Sequence, residues 1–348
     1  MLDGTSNLKT FTLIIKRVHM ANSQKQSGTG DFTSLCSKLV KVLDESIERN
    51  LAEGILLSGG LDTSILAYLA SKRVRLKAFT AALQNAPAPD ITYAALMANR
   101  FGLKHFVHRF NEKELYDAIR VVVKAVDSFD PMEVRNSVTV YVGLRNARNN
   151  GVNMIMTGDG CDELFAGYGF LLGLEKNQLN LELRKLWDVM HFSSVPLAEF
   201  LKMEVKLPYL DSSFKKFAME LDSKLKVRTE RGQTWGKWIL RKSFENVLPE
   251  EIVWRVKTPI ESGSGTSTLP HFFNSIISNG EFEEKRDKYI DEDKVTIRDK
   301  EQLFYYEIYR SEIGVPYPID PKGKICPDCN SSMPSTSTYC RKCGAYPV

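Results

Sequence analysis

An apolar run followed by a segment rich in glycine and hydroxyl groups constrains the fold of this chain more than any other feature. The run Gly54-Ile55-Leu56-Leu57 predicts a buried strand, and Ser58-Gly59-Gly60-Leu61-Asp62-Thr63-Ser64 follows it directly. Glycines let a backbone approach a ligand closely, and the polar residues at the end of the segment predict that a helix begins there. Since the first N–H groups of a helix are unpaired, they bind anions. The segment therefore predicts a strand–loop–helix unit that holds phosphate groups.

The side chains of this first loop fit the same chemistry. Ser58, Thr63 and Ser64 offer hydroxyl donors, and Asp62 can hold a cation that neutralises phosphate charge. The loop lacks the Gly-Lys-Ser/Thr ending of a Walker A loop. It resembles instead the pyrophosphate loop, Ser-Gly-Gly-x-Asp-Ser/Thr, of enzymes that split ATP into AMP and pyrophosphate.

Strand-like and helix-like segments alternate around this loop, which predicts an α/β fold with a doubly wound parallel sheet. Beyond residue 167 the pattern is mostly helical and predicts a helical extension. The highly charged segment 281–301 predicts a solvated helical surface. The predicted strands are 55–57, 76–83, 105–110 and 152–157, with a further strand conceivable at 11–18; the predicted helices are 34–49, 63–71, 90–101, 112–126, 134–149, 181–190, 197–203, 214–221 and 235–247.

A second loop follows the last of these strands and reads Thr157-Gly158-Asp159-Gly160-Cys161-Asp162-Glu163. Its three carboxylates repel one another unless a cation or a ligand compensates them. The alternative interpretation is an Asx-type turn with a negatively charged helix N-terminus. Because ligands of doubly wound sheets bind at the carboxyl ends of strands, we predict that the two loops face one crevice.

The two loops, with four further motifs, resemble the synthetase domain of the asparagine synthetase B family. The similarity extends from about residue 34 to 265. The resemblance implies the adenine nucleotide alpha-hydrolase-like (pyrophosphate-loop) version of the fold. The further motifs are the Arg-containing helix start at 132–137, Val-Lys-Leu-Pro-Tyr-Leu-Asp at 205–211, and the late segments 237–241 and 248–257.

The resemblance also implies site residues and a reaction. Mg²⁺ would be held by Asp62 and Asp162, Lys257 would stabilise charge at the α-phosphate, and Arg135 would lie in the same cleft. The enzyme would adenylate a carboxylate, with the aspartate side chain as the expected acceptor, and ammonia would then displace AMP. The positions that would bind ATP are Leu56, Ser58, Gly59, Gly60, Asp62, Thr63, Ser64, Ala81, Thr157 and Gly158.

Some positions have simpler interpretations or depart from the family pattern. From the residues alone, Lys257 could be a surface lysine, and Arg135 could form a salt bridge on a helix. Asp159 stands where the family usually has Glu and is shorter by one methylene, which puts rate or substrate in question. The run 258–263 replaces the family's aromatic-Ser-Asp-Gly, so substrate contacts are expected to differ.

The N-terminal segment is a further departure from the family. The family normally begins with a glutaminase domain whose N-terminal cysteine is the nucleophile, whereas this sequence starts Met1-Leu2-Asp3 and has about 33 residues before the synthetase region. We therefore expect the nitrogen to come from free ammonia or a separate glutaminase.

Four cysteines near the C-terminus, Cys326, Cys329, Cys340 and Cys343, form two Cys-x2-Cys pairs. This spacing predicts a zinc ribbon with a structural Zn²⁺, because four thiolates fill a tetrahedral coordination sphere. A disulfide pair is the alternative. The ribbon could be purely structural or could tether a protein partner.

Composition restricts the remaining function classes. The net charge of +4 over 348 residues does not argue for nucleic acid, and no apolar run is long enough for a membrane helix. Without a signal layout at the N-terminus, the expected location is cytoplasmic. The expected organisation is an N-terminal segment at 1–33, the ATP pyrophosphatase domain at 34–315, a linker at 316–324 and the ribbon at 325–348.

Two other functions stay open on the sequence. One is a pyrophosphate-loop enzyme that adenylates another acceptor, as in tRNA thiolation. The other is a regulatory module that binds nucleotide and recruits a partner through the ribbon.

Overall fold

A five-stranded parallel sheet forms the centre of the molecule. The computed structural model describes residues 29–319 and 323–348, so the strand considered at 11–18 lies outside the described residues. The strands are β1 (Gly54–Leu56), β2 (Lys77–Leu83), β3 (Lys104–Phe110), β4 (Met154–Met156) and β5 (Glu204–Lys206). Their order is β3-β2-β1-β4-β5, and every neighbouring pair is parallel. The predicted doubly wound parallel sheet is confirmed.

The strand order reverses between β1 and β4, which are neighbours although about a hundred residues separate them. Gly54 of β1 lies opposite Lys77 of β2 on one side and opposite Ile155 of β4 on the other. In doubly wound sheets the crevice for the ligand opens at the carboxyl ends of the strands at such a reversal. The first loop follows β1 and the second follows β4, so both lie at this crevice.

Helices cover both faces of the sheet. Phe79 and Ile155 point into a core shared with α4 and α5, whereas Ile55 and Ala78 point into a core shared with α1 and α2. The helices of this part are α1 (Thr29–Arg49), α2 (Leu61–Ala70), α3 (Pro89–Phe101), α4 (Glu112–Val126), α5 (Pro131–Asn149) and α6 (Cys161–Phe165).

The second half is mostly helical, as predicted, with two additions. Strand β5 was not predicted, because three residues with two charges make no apolar run; it pairs with β4 at the sheet edge. The second addition is a hairpin of β6 (Arg228–Glu230) and β7 (Gln233–Trp235). It ends at the first residue of the helix predicted at 235–247, so that helix begins only at Trp238. The helices are α7 (Lys176–Asp188), α8 (Ser194–Phe200), α9 (Ser212–Glu220), α10 (Trp238–Phe244), α11 (Glu250–Val253), α12 (Ile260–Ser264), α13 (Leu269–Ile276), α14 (Asn279–Asp293) and α15 (Lys300–Glu312), with 3₁₀ turns at Gly169–Leu171, Pro208–Leu210, Ser223–Leu225 and Thr266–Thr268.

The charged segment 281–301 corresponds to α14 and the start of α15, and the expectation of a solvated surface is only partly right. Tyr289 and Asp293 of α14 are buried, and Glu301 of α15 is buried as well. Helix α15 packs its tyrosines into the core beneath α14, where Tyr306 donates a hydrogen bond to Asp293 Oδ2 at 2.8 Å. The charges on the outer side of α14 are the solvated ones.

The C-terminal segment folds as a small ribbon that packs on the α/β body. Its antiparallel strands are β8 (Lys324–Ile325) and β9 (Ser332–Met333). The carbonyl of Lys342 accepts a hydrogen bond from the backbone N–H of Phe129 at 2.8 Å, and the carbonyl of Cys343 accepts one from Gln302 Nε2 at 2.8 Å. The ribbon thus covers the N-terminal end of α5 and one side of α15. Across the described ranges, no helix is long and apolar enough to cross a membrane.

Candidate active site

The first loop, residues 58–64, follows β1 and includes the first turn of α2, which begins at Leu61. Gly59 has φ +67°, and a Cβ atom there would lie 2.3 Å from the carbonyl carbon of Tyr93 on α3. Only glycine fits this position, because both the dihedral angle and the space exclude a side chain. Ser58 Oγ accepts from the N–H of Gly60 at 3.2 Å, and Thr63 Oγ1 accepts from the N–H of Ser58 at 3.3 Å. The loop is therefore held in its curved form by its own side chains.

Arg255 anchors this loop from the outside. Its Nη1 donates to the carbonyl oxygen of Ser58 at 3.3 Å, and its Nη2 donates to Asp90 Oδ1 at 2.7 Å. The guanidinium also lies 3.9 Å from the ring centroid of Tyr93. The segment that follows α11 is in this way tied to the first loop, which brings Lys257, two residues further along, to the same crevice.

The two loops touch where β1 and β4 end. A Cβ atom added to Gly158 would lie 3.1 Å from Thr63 Cγ2 and 3.3 Å from Asp62 Cβ. This close approach brings Asp62, in the first turn of α2, next to Asp162 of α6. The predicted shared crevice is thus present in the structure.

A buried lysine lies between these two carboxylates. Lys237 Nζ is 2.5 Å from Asp62 Oδ2 and 2.7 Å from Asp162 Oδ1, and its side chain is only 5% exposed. The contact with Asp162 Oδ1 is an ion pair without hydrogen-bond alignment. Sequence analysis placed Lys237 in a family motif but assigned it no role. Its backbone has φ +56° and its N–H donates to the carbonyl of Phe165 at 2.8 Å, which turns the side chain towards α6.

The electrostatics of this cluster favour a negative Asp162 and a positive Lys237. Burial raises the pKa of the Asp162 carboxyl, but the charges of Lys237 and Lys257 outweigh burial and bring that pKa to about 2. Burial lowers the pKa of Lys237, and the carboxylates of Asp162 and Asp62 more than reverse this, so the pKa of Lys237 lies above its ordinary value. Asp62, Asp162 and Lys237 together form a buried triad.

Lys257 lies at the open side of the triad. Its Nζ is 3.2 Å from Asp162 Oδ2 and 5.3 Å from the ring centroid of Tyr168. The Tyr168 hydroxyl donates to Glu163 Oε1 at 2.5 Å. With its side chain 32% exposed, Lys257 can reach a ligand in the crevice.

Asp159 is held apart from the triad by hydroxyl groups. Its Oδ2 accepts hydrogen bonds from Thr157 Oγ1 at 2.8 Å and from Ser194 Oγ at 2.5 Å. Burial raises the pKa of Asp159, and the two hydroxyls oppose that shift. Ser194 begins α8, so the position of this carboxyl depends on the helical extension.

Arg135 is engaged by two carboxylates of the helical extension. Its Nε donates to Glu261 Oε2 at 2.6 Å and its Nη1 to Glu301 Oε2 at 2.6 Å. Burial raises the pKa of Glu301 to about 7, even though Arg135 opposes the shift. Arg135 thus ties α5 to α12 and α15, and the structure does not place it in the cluster of Asp62, Asp162 and Lys237.

The residues expected on the adenosine side surround the ends of β1 and β2. Leu56 is half-buried, whereas Ala81 and Thr157 are buried. Helix α5 approaches closely here, since a Cβ atom on Gly143 would lie 2.9 Å from Leu56 Cδ2 and 3.9 Å from Ala81 Cβ. This glycine, which sequence analysis did not single out, lets the helix pack closely against Leu56 at the end of β1.

The donor set at Asp62 and Asp162 fits a hard divalent cation. Carboxylate oxygens are the ligands that Mg²⁺ prefers, and Asp62 Oδ1 is buried without a hydrogen-bond partner among the described residues. An oxygen of this kind is costly to bury unless something coordinates it. The hydroxyl of Ser64 is also buried and unpartnered within the same part of the chain.

The four C-terminal cysteines converge as a second candidate site. Their sulfur atoms all lie within 4.8 Å of one another. Cys326 Sγ lies 3.7 Å from Cys343 Sγ, and Cys329 Sγ lies 3.7 Å from Cys340 Sγ. Zn–S bonds of ~2.3 Å in a tetrahedron require S···S separations of ~3.8 Å. The cluster is compatible with zinc, and the sulfurs are too far apart for disulfides.

The fold and the crevice define an α/β enzyme site at a strand-order reversal, with a phosphate-type loop and paired carboxylates. The Asparagine synthase family model matches residues 38–200 and 193–303, and the chain belongs to this family.

Curated relatives agree with the family match. The chain is similar to the asparagine synthetase B (glutamine-hydrolyzing) of Escherichia coli, at 29% identity over 80% of this chain and 54% of the relative. It is 29% identical to a probable asparagine synthetase (glutamine-hydrolyzing) of Dictyostelium discoideum, over 74% of this chain and 51% of the relative. The chain spans about half the length of the curated relatives it matches.

Two solved structures are also similar. NMN synthetase from Francisella tularensis matches with a TM-score of 0.36 and 15% identity, over 84% of this chain and 98% of that one. An NH3-dependent NAD synthetase from Campylobacter jejuni matches with a TM-score of 0.27 and 16% identity, over 63% of this chain and 97% of that one.

Proposed function

We propose that this chain adenylates the side-chain carboxylate of aspartate with ATP and transfers the acyl group to ammonia. The observation that carries the proposal is the convergence of Asp62 and Asp162 on one buried cation, Lys237, at the end of β1 and β4. Family membership supports the reaction class, an ATP-dependent amide ligase. The reaction, its acceptor and its nitrogen donor are all proposed.

The first loop is proposed to bind the phosphates. The N–H groups of Gly59, Gly60 and the first turn of α2, with the hydroxyls of Ser58, Thr63 and Ser64, offer donors to oxygen atoms. Adenosine is proposed to lie against Leu56, Ala81, Thr157 and Gly158 at the ends of β1, β2 and β4.

Asp62 and Asp162 would hold Mg²⁺, and the bound ion would neutralise charge on the phosphates. Lys237 holds these two carboxylates close together. Its contacts support a positioning role, because its ammonium is enclosed by the protein and cannot itself reach a substrate.

Two further residues are proposed to act on the reacting groups, and a third is proposed to position a helix. The Lys257 ammonium lies at the open side of the crevice and would stabilise charge as a carboxylate oxygen attacks the α-phosphorus and pyrophosphate leaves. Asp159 is proposed to act in forming and using the acyl-adenylate, from which ammonia then displaces AMP. Arg135 is predicted to lie in the same cleft, but its contacts with Glu261 and Glu301 favour positioning of α12 over contact with substrate.

Ammonia is the proposed nucleophile whichever enzyme releases it, and a separate glutaminase is one proposed source. The cysteine cluster is proposed to hold a structural Zn²⁺. Hydrogen bonds from Phe129 and Gln302 to the ribbon backbone support a structural role, because they attach the ribbon to the α/β body. A protein partner on its outer face stays a prediction.

The test is pyrophosphate release from ATP and Mg²⁺ in the presence of aspartate and ammonium, with identification of the amide product. We expect asparagine and AMP from the wild-type protein, and a loss of at least a hundredfold in rate for Lys257→Ala. The matched control is Lys242→Ala. Lys242 is a half-buried lysine of α10 that pairs with Glu230 and Glu245. Pyrophosphate without asparagine would assign another acceptor, and no pyrophosphate with any carboxylate would contradict the proposal.

A further inference from the structure

A second cavity lies outside the active site, between α7 and the turn that follows α9. Its volume is about 220 Å³, which is below the usual range for drug-sized ligands and suits a small molecule. Apolar walls are provided by Leu183 and Trp187 of α7 and by Leu221. None of these residues belongs to the ATP crevice.

Two buried polar groups at this cavity lack partners. Lys226 is 1% exposed and Ser223 is 2% exposed, and both line the cavity. Among the described residues, neither Lys226 Nζ nor Ser223 Oγ has a hydrogen-bond partner. The Lys226 ammonium lies 4.7 Å from the centroid of the Trp187 ring. Burying an amine and a hydroxyl unpaired is costly, so a missing acceptor is the simplest explanation of both.

The charges around the cavity favour an anion. Three other charged residues border it, Lys176, Arg184 and Asp222. Lys176 Nζ donates to Asp222 Oδ2 at 2.8 Å, so this pair is neutral as a unit. Asp222 Oδ1 is also used, since it accepts from the N–H of Lys224 at 2.9 Å. Arg184 and Lys226 are left as positive groups, and a ligand with a negative charge would compensate them.

We propose that this cavity binds a small organic carboxylate whose oxygens accept hydrogen bonds from Lys226 Nζ and Ser223 Oγ. The hydrocarbon part of such a carboxylate would pack against Trp187 and Leu221, which contribute the apolar part of the lining. Burial lowers the pKa of Lys226 to about 7 when the cavity holds no anion. A bound carboxylate would favour the ammonium form, because an opposite charge at hydrogen-bond distance raises the pKa of an amine.

Trp187 provides a fluorescence probe for ligand binding in the cavity. Its ring forms one wall, and its Nε1 donates to the carbonyl oxygen of Glu163 at 2.9 Å, so the indole is held in place. A carboxylate bound beside the ring would change its fluorescence. The same hydrogen bond joins the cavity wall to the second loop of the active site.

The experiment titrates the full chain with propionate at constant ionic strength and follows tryptophan fluorescence and the heat of binding. We expect a saturable response in the wild-type protein, and affinity at least about tenfold weaker in Lys226→Met, because a hydrogen bond to a charged group contributes ~1.5–3 kcal/mol. Ser223→Ala should weaken binding less. Trp187→Phe should lose the fluorescence response and keep the heat. Lys224→Met, which changes an exposed lysine of the same turn, should bind like the wild-type protein.

Two ligand controls sharpen the result. Propylamine has the size of propionate and the opposite charge, and we expect no saturable response to it. Inorganic phosphate should bind more weakly than propionate. A wild-type protein without a saturable response, unchanged affinity in a folded Lys226→Met variant, or tighter binding of phosphate would each overturn the assignment. These measurements need neither ATP nor turnover, so they stand apart from the test of the ligase reaction.

Discussion

Nζ of Lys237 lies 2.5 Å from Oδ2 of Asp62, although 175 residues separate the two in the chain. The same ammonium contacts Asp162 and so joins the two loops that end β1 and β4. Two carboxylates that converge in a buried place repel each other without a cation. Lys237 supplies that cation from within the protein.

Lys237→Met should destabilise the protein and make its stability depend on Mg²⁺. Removing one partner of a buried ion pair leaves the other uncompensated and costs about 3 kcal/mol. We expect the midpoint of urea unfolding to fall, and Mg²⁺ to restore part of the loss, by a larger shift than it gives in the wild-type protein. Lys242→Met is the control and should change stability little, since its partners are partly exposed. A Lys237→Met protein as stable as the wild type without Mg²⁺ would disprove the role of Lys237.

The carboxylate of Asp162 should contribute stability that is lost in acid. Its pKa in the folded protein is about 2, below the ordinary value of 3.8. The unfolded state therefore binds the proton first, and the contribution of about 2 kcal/mol is present above pH ~4 and disappears as the pH falls towards 2. The stability difference between the wild type and Asp162→Asn, measured by urea unfolding from pH 6 to pH 2, should shrink over that window. Glu182→Gln, on the surface of α7, should show no such change; a constant difference for Asp162→Asn would contradict the assignment.

Gly59→Ala should be more damaging than the same change at Gly102. Both glycines have positive φ, +67° and +63°, but a Cβ atom at Gly102 would meet nothing within 4 Å. Gly102→Ala thus reports the cost of the dihedral angle alone, about 1 kcal/mol. Gly59→Ala adds the clash with the backbone of Tyr93, so its unfolding free energy should fall further and its affinity for ATP should drop. Equal effects of the two changes in calorimetry and in ATP binding would refute the close approach.

Cys340→Ser should remove bound metal and loosen the ribbon from the N-terminal end of α5. A small ribbon of this kind keeps its fold only while its four thiolates coordinate the metal. The N–H of Phe129 donates its hydrogen bond to the carbonyl of Lys342 in the ribbon. We expect loss of about one zinc per chain by elemental analysis and faster amide hydrogen exchange at Phe129. The N–H of Leu57, bonded to Phe79 within the sheet, serves as the control and should exchange as in the wild type. Unchanged exchange at Phe129 after metal loss would show that the ribbon packs without zinc.

Local sequence patterns predicted much of the fold. Apolar runs located β2 and β3 to within one residue, and the helix at 112–126 has the predicted bounds. The glycines and carboxylates that follow β1 and β4 predicted the two loops, because a backbone that must turn tightly beside phosphate needs those residue types. Strand β5 escaped prediction, since an edge strand of three residues carries too little periodicity to be recognised.

By itself, the sequence determined the strand–loop–helix unit at 54–64, the acidic loop after β4, the cysteine spacing and the family. Only the tertiary structure decided that Lys237 lies between Asp62 and Asp162, that Arg135 pairs with Glu261 and Glu301, and that the ribbon packs on α5. The physical reason is the range of the interactions. Turn and strand preferences act over a few residues, whereas the direction of a buried charged side chain depends on which distant groups compensate it once the core has closed.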